Sequence, residues 1–477
     1  MGYLVFQPQN AHRVRVEERD LLFHVPTTSL FEIDETDGAV LGFLAEKGRI
    51  AEADVAARFA GHDPADIARR LKGLRDLEIV TDGRAPSPER PPIRIENFPL
   101  STIVLNVNTG CNLSCTYCYK EDLDTPSAGR KMALDTAIRS IDLLLKESPD
   151  REKYNIVFFG GEPISNLRLI RDVVEHAEPR FAALGREVNF TLTTNATLLT
   201  PEIVDWLDAH RFGLTVSMDG PKALHDLNRK TIGGKGSYEA VATKARMLLS
   251  RYRSRPVGAR VTLTAGVTAI HEIWDHLKND IGFAEVGFSP VTSGTMTAFN
   301  LNGDELLEVF EGMKALGRLY RDEAIAGRNI GFSNMHQLMQ DLYEGRSKAL
   351  PCGAGVGMLA VDHEGTLNLC HRFTGSEMET YGNVETGLKR KELSAFIEAR
   401  ADRTDKGCAT CRIRNLCSGG CYHESYAHFS DPLKPTYHYC DLMRDWIDFG
   451  IGVYGDLITR APQFFHTAIA PRRAHGK

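Results

Sequence analysis

The sequence predicts an α/β protein centred on a partial (β/α)6 barrel. Three observations predict it. Six short apolar, strand-like segments between about 101 and 291 alternate with helical patterns. Polar motifs fall at the ends of four of those segments, where parallel α/β folds place their reactive groups. The ten cysteines lie in two blocks, three at 111–118 and seven between Cys352 and Cys440, which sets a cysteine-rich extension apart from the barrel.

Residues 1–85 predict a winged-helix-like module. Leu21-Leu22-Phe23 and Ser29-Leu30-Phe31-Glu32-Ile33 form a hairpin around Pro26. Helices follow over Asp37–Glu46, Ala51–Phe59 and Asp66–Leu77, the last with Ile67, Leu71, Leu74 and Leu77 on one stripe. Leu77 to Val80 and Asp82-Gly83 are expected to form the wing. The third helix mixes Arg69, Arg70, Lys72 and Arg75 with Asp66, Asp76 and Glu78; peptide binding is expected in preference to DNA binding, on the context of the module rather than on its charge. Residues 86–100 are proline-rich and aperiodic, an extended linker.

The barrel is assigned to 101–345. Its expected strands are Ile103–Val107, Asn155–Phe159, Val188–Thr193, Gly213–Ser217, Arg260–Thr264 and Glu285–Phe288, with a helix over Ala133–Leu145 carrying Ala137, Ile141, Leu144 and Leu145. Cys111 follows the first strand, Gly160-Gly161-Glu162-Pro163 ends the second, Thr194-Asn195 the third and Ser217-Met218-Asp219-Gly220 the fourth. Residues 346–445 lose regular pattern while cysteines dominate. Residues 446–477 predict a docked apolar helix and a basic end.

The composition narrows the function. A chain of 477 residues with 42% hydrophobic and 25% charged residues is a multi-domain globular protein. A net charge of −6 implies no broad nucleic-acid surface. No apolar run has the length of a membrane span, and the N-terminus lacks a signal-peptide pattern, so a soluble cytoplasmic protein is expected. Ten clustered cysteines in a reducing compartment point to metal ligation. Cys111, Cys115 and Cys118, spaced C-x3-C-x2-C, give three thiolates and no nearby fourth. A cubane iron–sulfur cluster so held keeps one iron open for a ligand. By spacing alone an incomplete zinc knuckle remains open, as does a zinc ribbon for Cys408, Cys411, Cys417 and Cys421.

The triplet after the first strand, with G-G-E-P after the second, resembles the radical S-adenosylmethionine (SAM) enzymes. Cys352, Gly365 and Cys370, then Cys408, Cys411, Cys417 and Cys421, then Cys440, resemble the SPASM extension of that superfamily. The resemblance spans about 100–445. It implies that Cys111, Cys115 and Cys118 hold a 4Fe–4S cluster whose open iron chelates SAM, with Tyr117 beside it. It implies SAM contacts at Gly160, Gly161, Glu162, Pro163, Asn195, Ser217, Arg229 and Val286. Of these, Glu162 would accept from the methionyl ammonium, Arg229 would pair with the carboxylate and Val286 would pack by the adenine. It further implies two auxiliary clusters, one on Cys408, Cys411, Cys417 and Cys440, the other on Cys352, Cys370 and Cys421 with a position left open.

The N-terminal module ahead of a SPASM enzyme resembles the peptide-recognition elements of ribosomal-peptide maturases, which add a substrate strand to a hairpin edge. Ser29-Leu30-Phe31-Glu32-Ile33-Asp34 with Asp37-Gly38 is similar to the maturases of quinohemoprotein amine dehydrogenase. That likeness implies thioether links between cysteine sulfur and Asp or Glu methylene carbons of a small protein, with flavodoxin or ferredoxin as reductant. Other SPASM maturases are the alternatives: sactipeptide-type, carbon–carbon cross-linking, or sulfatase-type formylglycine-forming. A zinc-stabilised peptide-binding scaffold is the alternative outside enzymes. The base that deprotonates the substrate thiol has no sequence signature; Asp219 and His225 are candidates by position, and structural roles suit them equally.

Overall fold

A computed structural model describes residues 2–16, 18–83, 95–119, 129–291, 298–402, 407–434 and 438–470. Most of the expected linker and the basic C-terminal end lie outside the described residues.

The N-terminal region holds two small antiparallel sheets and three helices. β1 (Tyr3–Phe6) is flanked by β5 (Arg49–Ala51) and β6 (Val80–Thr81), while β2 (Ala11–Val16), β3 (Arg19–His24) and β4 (Ser29–Ile33) form the second sheet. The expected hairpin is β3–β4, with Leu22 opposite Phe31. The expected wing is not a hairpin. Val80 and Thr81 pair with β1 instead, because Val80 is needed to close the small core over Leu4, Val40 and Ile67.

Helix α1 (Glu35–Lys47) starts at a reciprocal capping box between Asp34 and Asp37. Arg70, on α3 (Pro64–Asp76), clamps this start by pairing with Asp34 at 2.8 Å and with Asp37 at 2.5 Å. The second helix, α2, is Glu52–Arg58.

The β2-β3-β4 sheet is welded to the rest of the chain. Phe23 and Val25 belong to the main hydrophobic core. Arg414 donates to Asn10 Oδ1 at 3.1 Å, and Arg19 to Asp456 at 2.7 Å. His12 meets Asp448 at 2.9 Å on the long helix Cys440–Arg460.

The barrel is an eight-stranded sheet. Its strands are β7 (Thr102–Asn108), β8 (Lys153–Gly160), β9 (Glu187–Thr194), β10 (Gly213–Ser217), β11 (Gly258–Leu263), β12 (Glu285–Pro290), β13 (Met358–Val361) and β14 (Leu367–Asn368). The order is β12-β11-β10-β9-β8-β7-β13-β14, parallel throughout except the β13–β14 pair. The six expected strands are all present. The extra two come from the cysteine-rich region, whose short strands lie across the free edge of β7 and so cover it.

Strand alternation separates two faces. Ile156 and Phe158 of β8, Leu192 of β9 and Val261 of β11 pack into the main core with the covering helices. Among these, Leu134–Glu147 buries Ala137, Ile141 and Leu144, as its stripe predicts. The opposite parity, including Thr191, Thr215, Ser217 and Arg260, lines the inner face and is only partly buried or exposed. The long apolar helix expected near the C-terminus is Cys440–Arg460, which begins before residue 446.

Candidate functional site at the barrel mouth

The cysteine triplet sits on the loop that leaves β7. Ser114 N donates to Lys230 O at 2.8 Å and Thr116 N to Asn228 O at 3.1 Å, so the loop is tied to the segment after β10. The glycines of G-G-E-P act on the same loop. A Cβ on Gly160, whose φ is +140°, would stand 2.3 Å from Asn108 O; one on Gly161 would stand 2.0 Å from Gly110 O. Only glycine allows the end of β8 to approach the triplet loop this closely.

Glu162 is buried behind that contact. Its carboxylate accepts from Thr194 Oγ1 at 2.7 Å, Asn195 N at 2.8 Å and Ile164 N at 3.1 Å. Burial nevertheless pushes its carboxyl up to about 7, since the three donors offset only part of the desolvation. Pro163 opens the short turn that presents Ile164 N. The sequence suggests Glu162 as an acceptor for an ammonium; in the structure its bonds tie the ends of β8 and β9 together, leaving one lone-pair direction for a further cation. Asn195 carries that link to the triplet: its Nδ2 donates to Asn112 Oδ1 at 3.0 Å and lies 3.8 Å from Cys111 Sγ.

Arg229 and Asp219 form a bidentate pair, Nε to Oδ2 at 2.8 Å and Nη2 to Oδ1 at 3.2 Å. Tyr117 donates to Asp219 Oδ2 at 2.6 Å and Thr262 N to Oδ1 at 2.9 Å. The guanidinium also lies 5.4 Å from the Tyr117 ring. Arg229 thus stands beside the triplet, as the sequence suggests, with its Nη1 side not used by Asp219.

His225 is wholly buried. Its Nδ1 accepts from Asp219 N at 3.4 Å, while Nε2 meets Ser237 Oγ at 3.0 Å. Because Ser237 donates to Arg229 O at 2.8 Å, Nε2 carries the proton. Burial pushes the imidazole down to about 4. These are the bonds of a structural histidine, and Asp219 is likewise saturated with donors; neither is arranged as a base.

Ser217 lies on the inner face at the end of β10, where the sequence places it. Val286 does not reach the mouth. It pairs with Ala259 on the helix-covered face and is buried in the core; its neighbour Gly287, opposite Arg260, occupies the inner face. Strand parity is one residue away from the sequence expectation.

The ten cysteines gather in three groups. Cys111, Cys115 and Cys118 stand within electrostatic reach of one another, as do Cys352, Cys370 and Cys421, and as do Cys408, Cys411 and Cys440 around Cys417. Burial pushes Cys111 up to about 11 and Cys115, Cys370 and Cys417 up to about 12, and neighbouring thiolates add to each. Such buried thiols become thiolates only when a cationic group compensates them. Among the described residues no three side chains converge tightly enough for one metal ion; a cubane spreads its thiolates over separate irons. The thiols of Cys111, Cys115 and Cys118 suit a cubane cluster in chemistry, with one iron left open. Tyr119, next to Cys118, packs 5.5 Å from the ring of His423 and 5.2 Å from the guanidinium of Arg372, which follow Cys421 and Cys370 by two residues, so the second thiol group lies on the same side of the barrel as the first.

The cysteine-rich region also roofs the mouth with charge that sequence reasoning missed. Arg372 lies 5.2 Å from the Tyr119 ring, and Glu424 accepts from Tyr439 OH at 3.2 Å. Neither has a periodic signal. Arg260 was discoverable, because it shares inner-face parity with Ser217.

Residues 105–279 match the model of the radical SAM superfamily. The chain is 23% identical over 372 residues to a cysteine-type anaerobic sulfatase-maturating enzyme of Clostridium perfringens, covering 74% of this chain and 96% of the relative. It is 22% identical over 455 residues to the radical SAM cyclopropyl synthase TigE of Paramaledivibacter caminithermalis, covering 89% and 90%. Its fold matches that of native anSMEcpe with bound AdoMet at TM-score 0.61 and 19% identity, over 78% of this chain and 99% of that one. It also matches Streptococcus suis SuiB bound to its precursor peptide SuiA at TM-score 0.51 and 15% identity, over 90% and 99%.

Proposed function

We propose that this chain, a radical S-adenosylmethionine enzyme, is a SPASM-type maturase that modifies a peptide or small protein. The observation that carries the reading is Tyr119, next to Cys118, whose ring lies 5.2 Å from the guanidinium of Arg372 and 5.5 Å from the ring of His423, both in the cysteine-rich region. A substrate at the mouth would meet both thiol groups at once. The alignment with the cyclopropyl synthase spans 89% of the chain, against 74% for the sulfatase-maturating relative, so it takes in part of the N-terminal region. That favours a peptide maturase with a recognition module over a sulfatase type.

The finer reading is thioether formation, from a cysteine sulfur to a methylene carbon of Asp or Glu, on the small subunit of a quinohemoprotein amine dehydrogenase. What supports it is the Ser29–Asp34 phrase and the module it belongs to. That phrase is β4 and the α1 cap, and among the described residues β4 pairs only with β3. A substrate strand can add there.

Cys111, Cys115 and Cys118 would hold the catalytic cluster, and Cys352, Cys370, Cys421 and Cys408, Cys411, Cys417, Cys440 the auxiliary ones. Bound at this mouth, SAM and a reduced cluster supply one-electron cleavage that removes a hydrogen atom from an unactivated carbon. The chain's own residues do the rest. Gly160 and Gly161 bring the strand end against the triplet loop. Glu162 and Asn195 fix that end, and Glu162 keeps one acceptor direction for an ammonium. Arg229, pinned by Asp219 and Tyr117, offers its remaining N–H groups to a carboxylate.

The test is co-expression with a short cysteine-containing protein encoded beside this one. The expected product loses two hydrogens per link and resists thiol alkylation at the linked cysteine. An unmodified substrate, with 5′-deoxyadenosine still produced, would leave radical SAM chemistry standing and remove the thioether assignment.

A further inference from the structure

The N-terminal sheet β2-β3-β4 is fastened to a short stretch of the cysteine-rich region that lies between two cysteines. Arg414 and Asn415 sit between Cys411 and Cys417, and both are buried. Arg414 donates to Gln9 O, to Asn10 Oδ1 at 3.1 Å and to Cys411 O at 3.3 Å. Asn10 is itself a buried junction: its Nδ2 donates to Glu78 O at 3.0 Å, and its O accepts from Val25 N at 3.0 Å. Asn415 Nδ2 donates to Val25 O at 3.0 Å and to Pro26 O at 3.3 Å, on the turn from β3 to β4. The cysteines on either side are tied into the same stretch. Cys411 N donates to Cys408 O at 3.1 Å, and Cys417 N to Ile413 O at 2.9 Å. Arg412 pairs at 2.7 Å with Asp448, on the helix that Cys440 opens, and His12 of β2 meets the same carboxylate at 2.9 Å. The Cys408–Cys417 turn thus lies against both that helix and the N-terminal sheet. Its three thiols and that of Cys440 make the four that a cubane takes.

We propose that filling this four-thiol site locks the N-terminal sheet in place, with Arg414 as the positioning residue, so that the enzyme presents its β4 edge to a peptide only once the site is loaded. The proposal deepens the maturase reading and rests on its assignment of these cysteines to an auxiliary cluster. A three-stranded sheet is at the margin of independent stability. The turn that holds it has only one helix, Arg414–Cys417, of four residues. Metal–thiolate bonds cross-link such a turn and add their binding free energy to its folding. Two side chains carry that rigidity outward, Arg414 to the junction at Asn10 and Asn415 to the turn before β4. If the turn shifts, buried carbonyls of the sheet lose their donors, so turn and sheet loosen together.

The test is hydrogen exchange read by mass spectrometry on the full chain, metal-free and after anaerobic reconstitution with iron and sulfide. Fragments within Gln7–Pro26 should exchange at least about tenfold more slowly in the loaded protein. Reconstituted Cys417→Ala should exchange there like metal-free protein, and reconstituted Cys115→Ala like loaded wild type. Arg414→Gln should take up as much iron as wild type yet exchange fast in that span. Equal exchange in loaded and metal-free wild type overturns the proposal. So does a Cys115→Ala protein as loose in that span as Cys417→Ala, because loss of any cluster would then suffice. A loaded Arg414→Gln protein that keeps full protection overturns the positioning role; if that variant does not fold, the two cysteine variants decide alone. The two readings fail separately. Wild-type protein that takes up only about four irons removes the auxiliary assignment and the coupling with it; about eight irons or more with unchanged exchange removes the coupling alone.

Discussion

The guanidinium of Arg229 grips both carboxylate oxygens of Asp219, at 2.8 and 3.2 Å, beneath the cysteine triplet. Both side chains are almost sealed from water, at 8% and 1% exposure. Removing one partner of such a pair strands a buried charge, which typically costs about 3–5 kcal/mol, more than the pair itself contributes. Asp219→Ala is therefore expected to lower the melting temperature sharply and to weaken SAM binding. The double variant Asp219→Ala/Arg229→Met should regain part of the stability but none of the SAM affinity. If the double variant is no more stable than the single one, the stranded-charge account fails.

The grouping of cysteines predicts which irons leave together. Cys115→Ala should lose about four irons and all 5′-deoxyadenosine formation. Cys417→Ala should lose about four irons while leaving the catalytic cluster's signal intact. Cys370→Ala should do the same for the other group. Iron analysis and electron paramagnetic resonance on anaerobically purified protein check this. A Cys417→Ala variant that also destabilises the site of Cys370 would contradict the grouping.

Much of this site was legible from residue spacing, and its failures have physical causes. The triplet, G-G-E-P and Asn195 are local motifs, and parallel strands bring their ends together whatever the twist. Val286 was misplaced because a period of two leaves the choice of face undetermined until register is known. Gly287 faces the mouth instead. Sequence shows Asp219 as a polar residue at a strand end, a position that suits a base; it does not show Arg229, Tyr117 and Thr262 consuming its lone pairs. Strands β13 and β14 were missed because segments of four and two residues carry too little periodicity. Arg372 and Glu424 matter through chain contacts across the mouth, which no local pattern encodes.

Glu162 and His225 make opposite contributions to the pH dependence of stability. The Glu162 carboxyl is raised to about 7, so the folded state holds its proton longer than the unfolded chain; stability falls as pH rises from about 4.5 to 7. The His225 imidazole is depressed to about 4, so the unfolded chain takes the proton first; stability rises from about pH 4 to 6.5. In cluster-free protein the two largely cancel across that interval. Relative to wild type, Glu162→Gln should make the melting temperature climb more steeply with pH up to about 6.5 and His225→Gln should make it climb less, since His336, buried and also held near 4, acts alike in all three proteins. Profiles parallel to wild type in both variants would show that neither group titrates as its surroundings dictate.

The open edge of β4 makes the last prediction. Of the two edges of the β2-β3-β4 sheet, β2 lies against the C-terminal helix, where His12 meets Asp448 at 2.9 Å. That leaves β4. Its Phe31 is 39% exposed, and its Ser29, Leu30 and Glu32 border a cavity of about 310 Å³ shared with Tyr343, Tyr454 and Ile458. A peptide strand added to this edge would place side chains directly across from Phe31, where an aromatic or branched partner contributes about 0.2–1 kcal/mol and an acid does not. Phe31→Asp should therefore weaken substrate binding about fivefold, the upper end of that range, while the melting temperature barely moves. SAM cleavage without substrate should be unaffected, because Phe31 belongs to a sheet outside the barrel. Substrate affinity is read by fluorescence anisotropy of the labelled protein substrate. An unchanged affinity in Phe31→Asp, with Glu32→Lys equally silent, would move recognition away from β4.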